Sequence, residues 1–205
     1  MSVASHRFNN DLRRRDEFHP NQTRLTPRYL LEPIRTAMDG IGLDPCTEPD
    51  NPCEAASFYT PPADGCELPW ESHSVFCNPP YGEARNRWVR RCMEAGKEGT
   101  SVALLIPSHT DTKITNMALR ECHGSLFVRG RLRFGIPRPT GQQQAASHGS
   151  ILIGWNLNWA PLMPLGVVMM PMKGEATEVP HPPHRPGARC ECNECHEWHA
   201  SQEGA

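Results

Sequence analysis

Short apolar segments of strand length alternate with helical segments through the middle of this 205-residue chain. The apolar segments lie at 41–43, 75–77, 102–106, 126–128, 151–155 and 166–170. Helical patterning occupies 26–40, 82–96 and 112–124. Strands that alternate with helices indicate an α/β domain built around a largely parallel sheet.

The first helical segment carries recognisable signals at both ends. Thr26 is expected as its N-cap, with Pro27 at the first helical position. Apolar residues recur at four-residue spacing through 30–38, and Gly40 can end the helix. Pro33 interrupts this pattern and is expected to kink the helix or delay its start.

Composition divides the chain into three parts. Residues 1–23 form a polar N-terminal tail, 24–172 the folded domain, and 173–205 a Pro/His-rich linker followed by a Cys/His tail. No apolar segment approaches the length of a membrane span, and the first residues lack a signal-peptide core. Nine scattered cysteines indicate reduced thiols. These features predict a soluble cytoplasmic protein.

An unusual turn follows the apolar segment at 75–77. The sequence there is Asn78-Pro79-Pro80-Tyr81. In open α/β sheets, ligands bind beyond the carboxyl ends of the strands. The two prolines have fixed φ and lack N–H groups, so a rigid turn presents the Asn78 side-chain oxygen and a backbone carbonyl as acceptors. Such a pocket suits an amino group on a planar ring, which the Tyr81 ring can cover.

The surrounding motifs resemble one family. "LTPRYLLEPI", "GLDPCTEPDN", "DGCELPW", "VFCNPPYG", "LLIPSHTDT" and "FVRGRLRFG" occur in the order that is typical of phage-type DNA N6-adenine methyltransferases. The resemblance covers about residues 26–155. It implies a Rossmann-like methyltransferase domain that transfers a methyl group from S-adenosylmethionine to adenine in double-stranded DNA, with the base flipped out of the duplex. It also suggests a phage or prophage origin, and hence a host-cell cytoplasm, with restriction–modification as one setting.

The resemblance assigns roles to particular residues. Asn78, Pro79, Pro80 and Tyr81 match the catalytic motif. The cofactor-binding residues that it implies are Thr26, Pro27, Asp44, Pro45, Cys46 and Asp64. The loop from Asp44 contains no glycine, unlike the common methyltransferase loop, and Asp64 can equally serve as a turn residue before Gly65.

Basic residues concentrate after residue 112, although the whole chain has a formal net charge of −2. Arg129, Arg131 and Arg133 alternate in "RGRLRFG" and would share one side of an extended segment. A row of guanidinium groups suits DNA phosphates or guanine edges. A charged edge strand is the alternative.

The C-terminal tail contains soft metal ligands. Cys190, Cys192, Cys195 and His199 could bind one zinc ion, with His196 as a competing ligand. The spacing is compressed compared with a zinc finger. A reactive tail with adventitious metal affinity is therefore the alternative.

Two other classes of function stay open at the level of sequence. The same chemistry could act on N4 of cytosine, an RNA base or a protein glutamine amide, because each presents a planar NH₂ group. A non-enzymatic nucleic-acid-binding protein that uses the Cys/His tail is the other class, and the intact Asn78 and Asp44 weigh against it.

Overall fold

The computed structural model describes residues 25–80, 85–135 and 143–171. Three α-helices lie in these ranges: α1 (Arg28–Ala37), α2 (Arg85–Lys97) and α3 (Lys113–Glu121). Nine strands accompany them: β1 (Leu43–Asp44), β2 (Ser57–Phe58), β3 (Ser74–Cys77), β4 (Ser101–Pro107), β5 (Gly124–Val128), β6 (Arg133–Gly135), β7 (Gln143–Ala145), β8 (Ser150–Trp155) and β9 (Gly166–Met169). A 3₁₀ helix spans Ala160–Leu165.

Seven strands form one sheet in the order β2-β1-β3-β4-β8-β5-β9. The strands β2, β1, β3 and β4 pair in parallel, whereas β8 is antiparallel to both β4 and β5. Hence β5 points the same way as β4, and only β8 and β9 run in the opposite direction. The expected Rossmann-like α/β fold is confirmed. A separate hairpin pairs β6 with β7.

The sheet is covered on both faces, and this explains its continuous apolar strands. In β3, Val75 and Cys77 pack with residues of α2 and α3, while Phe76 packs on the opposite face with α1 and the 3₁₀ helix. The same alternation runs through β4, whose residues from Val102 to Pro107 are all buried. Helices on both faces leave the strand ends as the place for a site.

The start of α1 differs from the expectation. The helix begins at Arg28, the N-cap is Pro27, and no side chain caps it. The predictions of Thr26 as N-cap and of Pro27 as the first helical residue were therefore both wrong by one residue. The Thr26 hydroxyl does not cap the helix but accepts a hydrogen bond from Asn78. Pro33 lies inside a helix that is continuous from 28 to 37, with one fewer backbone donor.

Close packing of α2 against β8 gives a stability prediction. A Cβ atom added to Gly96 would lie 2.3 Å from the Trp155 ring. We expect Gly96→Ala to lower the free energy of unfolding by about 1–3 kcal/mol, although alanine is the better helix former. Denaturant titration measures this change. In a Trp155→Ala background the ring carbons that the methyl group would meet are removed. The cost of Gly96→Ala should therefore shrink, and equal costs in both backgrounds would contradict the packing explanation.

Candidate active site

The strand order reverses at the carboxyl ends of β1 and β3. The chain leaves β1 towards β2 on one side and returns to β3 on the other, so a crevice opens between the ends of these strands. Asp44 is the last residue of β1, and Asn78 follows directly after β3. The register pairs Leu43 with Val75, which brings the two polar residues to the same edge of the sheet.

Asp44 is a buried acid at this edge, only 3% exposed. The Cys46 amide donates to its Oδ1 atom at 3.2 Å, and the side chains of Thr47 and Cys53 also hydrogen-bond to it. Burial raises the pKa of Asp44 to about 6, in spite of these donors, each of which lowers it. A buried carboxyl group held by neutral donors is suited to a cationic ligand.

Asn78 is oriented by a residue far away in sequence. Its Nδ2 atom donates to the Thr26 hydroxyl at 3.1 Å. Thr26 is itself buried, with 8% exposure. The predicted catalytic residues Pro79 and Pro80 follow Asn78 in the described part of the chain, whereas Tyr81 lies outside it. The structure therefore brings Asn78 beside Thr26 and next to the strand that ends in Asp44.

Buried thiols fill the space beneath the crevice. The Sγ atoms of Cys46 and Cys77 lie 3.8 Å apart, and Cys92 of α2 is next to Cys77. Burial raises the pKa of the Cys77 thiol well above its ordinary value. Such thiols are poor nucleophiles, so we interpret them as packing groups. All six cysteines among the described residues are free thiols.

Asp64 lies beside the loop that starts at Asp44. A Cβ atom on Gly65 would meet the Pro45 carbonyl oxygen, so the Asp64–Gly65 turn packs directly on that loop. The Asp64 carboxylate accepts from the Cys66 amide at 3.1 Å and is ion-paired with Arg87. The turn role is therefore present, and contact between Asp64 and the cofactor stays a prediction.

The three arginines of "RGRLRFG" differ in their surroundings. Arg131 and Arg133 are exposed and alternate with the buried Leu132 and Phe134, as an extended segment requires. Arg129 is separated from them by Gly130, which has a φ of +75°. Its guanidinium donates to the Pro164 carbonyl at 2.6 Å. Arg131 and Arg133 are thus the more available pair for DNA.

Two features of this edge escaped the sequence analysis. The rings of His109 and His148 lie 4.4 Å apart, nearly perpendicular, after β4 and before β8. The Thr26–Asn78 hydrogen bond joins residues from two distant segments. Neither pair is close in sequence, so neither leaves a periodic signal.

The predicted zinc ligands Cys190, Cys192, Cys195 and His199 lie outside the described residues. Within the described ranges, no cluster of three His, Cys, Asp or Glu residues could hold a metal ion. No helix of these ranges is long and apolar enough to cross a membrane.

The chain matches a known protein family. The family model described as DNA N-6-adenine-methyltransferase (Dam) matches residues 20–177. That range includes the whole sheet, the crevice and the β6–β7 hairpin. A comparison with curated proteins found no match.

The raised pKa of Asp44 predicts how stability depends on pH. The folded-state value of about 6 exceeds the ordinary 3.8, so the folded protein binds this proton more tightly than the unfolded chain does. The resulting stabilisation is present below pH 4 and is lost as the pH rises through about 6. We expect Asp44→Asn to raise the free energy of unfolding at pH 7.5 by roughly 1–3 kcal/mol without ligand, and to change it little at pH 4.

Denaturant titrations at both pH values measure this difference. Asp50→Asn, at an exposed position, is the matched control and should show no such pH-dependent gain. A loss of stability in Asp44→Asn at pH 7.5 would contradict the assignment of a desolvated charge to Asp44.

Proposed function

The chain belongs to the DNA N-6-adenine-methyltransferase (Dam) family, and on that premise we propose that it transfers the methyl group of S-adenosylmethionine to adenine N6 in duplex DNA. Its activity is that of an adenine-specific DNA methyltransferase. The proposal concerns the methyl donor, the residues that act and the flipping of the base. One observation carries it: Asp44 and Asn78 both lie at the carboxyl ends of the adjacent parallel strands β1 and β3.

The Asp44 pocket fits the amino-acid end of the methyl donor. S-adenosylmethionine supplies, when bound, an activated methyl group on a positively charged sulfur. Its ammonium group would give the buried Asp44 carboxyl a cationic partner, and the pKa of about 6 shows that this carboxyl lacks strong stabilisation of its charge. The Asp64–Gly65 turn packs on the same loop, and this supports our assignment of Asp64 to the adenosine part.

Asn78 acts on the adenine amino group. The lone pair of this nitrogen is delocalised into the ring, which makes the amine a weak nucleophile. We assign the Asn78 side-chain oxygen and the Pro79 carbonyl as acceptors for its two hydrogens. Two acceptors favour tetrahedral geometry at nitrogen and localise its lone pair. Methyl transfer would form an N–C bond as the S–C bond of the donor breaks, leaving S-adenosylhomocysteine, and the nitrogen would lose one proton to solvent. The part assigned to Asn78 and Pro79 is therefore to position the amino group.

The target base must leave the duplex to reach Asn78. Base flipping costs about a few kcal/mol, which contacts on the DNA backbone can offset. Arg131 and Arg133 are exposed at the β6 hairpin, and the hairpin pairs through Gly135 with Leu25, next to Thr26. This connection supports a DNA-binding role for the hairpin. Tyr81 is proposed to stack on the flipped base.

The reaction itself tests the proposal. Purified protein is incubated with unmethylated genomic DNA and methyl-labelled S-adenosylmethionine, and the DNA is digested to nucleosides. We expect label in N6-methyladenine and a loss of at least about 100-fold in Asn78→Ala, in line with the loss of a charge-stabilising contact. Asn51→Ala, which removes an amide in the loop between β1 and β2, is the control. Label in N4-methylcytosine, or full activity in Asn78→Ala, would contradict the proposal.

The hairpin arginines predict a salt effect. Each phosphate contact releases counterions, so binding weakens as salt rises. Arg131→Gln and Arg133→Gln should each reduce the magnitude of the slope of log K against log salt by about 1. DNA binding measured by anisotropy at several salt concentrations gives this slope. Lys97→Gln removes the same charge from the C-terminal residue of α2, which lies before the start of β4 and hence away from the carboxyl ends of the strands. This variant should leave the slope unchanged. Equal slopes in all three variants would rule out the hairpin as the DNA contact.

A further inference from the structure

We propose that Thr26 is a positioning residue for the catalytic amide: it holds the Asn78 side chain with its oxygen towards the amino group that is methylated. The inference rests on the proposed function of Asn78 and deepens it. It also changes the role of Thr26, which the sequence assigned to the cofactor, because the hydroxyl contacts the catalytic side chain itself.

The chemistry of an amide makes its orientation decisive. An asparagine side chain carries one acceptor and one donor group of nearly equal size, and rotation by 180° exchanges them. Only the acceptor can bind an amino hydrogen. With Nδ2 donating to the Thr26 hydroxyl at 3.1 Å, the oxygen is the atom turned away from Thr26. In the reversed orientation, an NH₂ group would face the adenine NH₂ group, and two donors cannot bind each other.

The backbone on both sides of Thr26 is held in place. On one side, Leu25 exchanges two hydrogen bonds with Gly135 of β6, at 3.0 and 2.9 Å. On the other side, the Pro27 carbonyl accepts from the amides of Leu30 and Leu31 in α1. The backbone of Thr26 is therefore held between a helix and a hairpin, and these contacts involve no substrate.

The pairing of Leu25 with β6 also connects Thr26 to the proposed DNA-binding hairpin. Arg133 begins the strand whose third residue, Gly135, pairs with Leu25. A Cβ atom on Gly135 would lie 3.1 Å from the Leu25 Cβ atom, so the two backbones are in close contact. The hairpin that is proposed to contact DNA phosphates thus pairs with Leu25, the residue directly before Thr26. The segment that contains Leu25 and Thr26 therefore connects the proposed DNA-binding hairpin to the Asn78 side chain.

Two substitutions at Thr26 test the inference. Thr26→Val keeps the shape of the side chain but removes the oxygen, whereas Thr26→Ser keeps the oxygen. We expect Thr26→Val to lower the single-turnover rate of adenine methylation by about 10- to 100-fold, because the amide loses the hydrogen bond that holds it in the orientation described. Thr26→Ser should restore the rate to within about 3-fold of the unsubstituted protein.

Binding measurements separate positioning from other roles. The Kd values for S-adenosylmethionine, by calorimetry, and for duplex DNA, by anisotropy, should change by less than about 3-fold in Thr26→Val, since the hydroxyl contacts neither in this account. A Thr26→Val rate equal to that of the unsubstituted protein would overturn the inference. So would a rise in the cofactor Kd that matches the loss of rate, because Thr26 would then be a cofactor contact.

Two controls keep the outcome interpretable. Thermal unfolding of each variant reports whether it is folded, and Thr26→Ala provides a second deletion of the hydroxyl if Thr26→Val does not fold. Failure of the proposed function looks different from failure of this inference. Absence of N6-methyladenine with the unsubstituted protein would refute the proposed function, whereas normal methylation that is insensitive to Thr26→Val would refute only the positioning role.

Discussion

The pairing of β1 with β3 is the contact on which the site depends. It is short, because β1 contains only Leu43 and Asp44, and one register pair joins the two strands. The buried Ser74 hydroxyl reinforces it: this group accepts from the Gly42 amide at 2.9 Å and donates to the Gly40 carbonyl at 3.0 Å. The Ser74 side chain thus adds two hydrogen bonds between the segments to those of the short strand β1. These hydrogen bonds offset the cost of burying the hydroxyl.

From this pairing follows a division of roles along one sheet edge. The last residue of β1 is a buried acid, and the turn after β3 carries an amide that donates a hydrogen bond to Thr26. The exposed arginines stand on a separate hairpin that contacts the same segment as Thr26. The acid proposed to bind the cofactor, the amide proposed to bind the base and the guanidinium groups proposed to bind DNA are therefore in different elements. The nearly neutral net charge of the whole chain conceals this separation.

Much of the framework could be predicted from the sequence, because it depends on local patterns. The continuous apolar segment before Asn78 predicted a strand that is buried on both faces, and β3 has that environment. Alternation predicted that Arg129, Arg131 and Arg133 would share one side of an extended segment. Arg131 and Arg133 do so on either side of the buried Leu132, whereas Gly130, with a φ of +75°, interrupts the extended backbone after Arg129. These features need only the two-residue period of a strand and the sterics of proline.

The remaining features depend on contacts between distant residues. Thr26 resembled an N-cap by its position before Pro27, but its hydroxyl is used by Asn78, and no local pattern could reveal this competition. The two-residue strand β2 is exposed and has no apolar signal. The raised pKa of Asp44 likewise depends on burial, opposed by hydrogen bonds from Cys53 and Thr47, and this environment exists only after folding. Contacts between residues that are distant in sequence can be identified only from the folded structure.

The separation of cofactor binding from catalysis is the central claim, and calorimetry with S-adenosylmethionine tests it most directly. Asp44→Asn should raise the cofactor Kd by at least about 10-fold, because it removes the partner of the ammonium group. Asn78→Ala should bind the cofactor within about 3-fold of the unsubstituted protein, since Asn78 contacts only the base in this account. Unchanged cofactor binding in Asp44→Asn, or equal losses in both variants, would contradict the claim that β1 holds the methyl donor while β3 acts on the adenine.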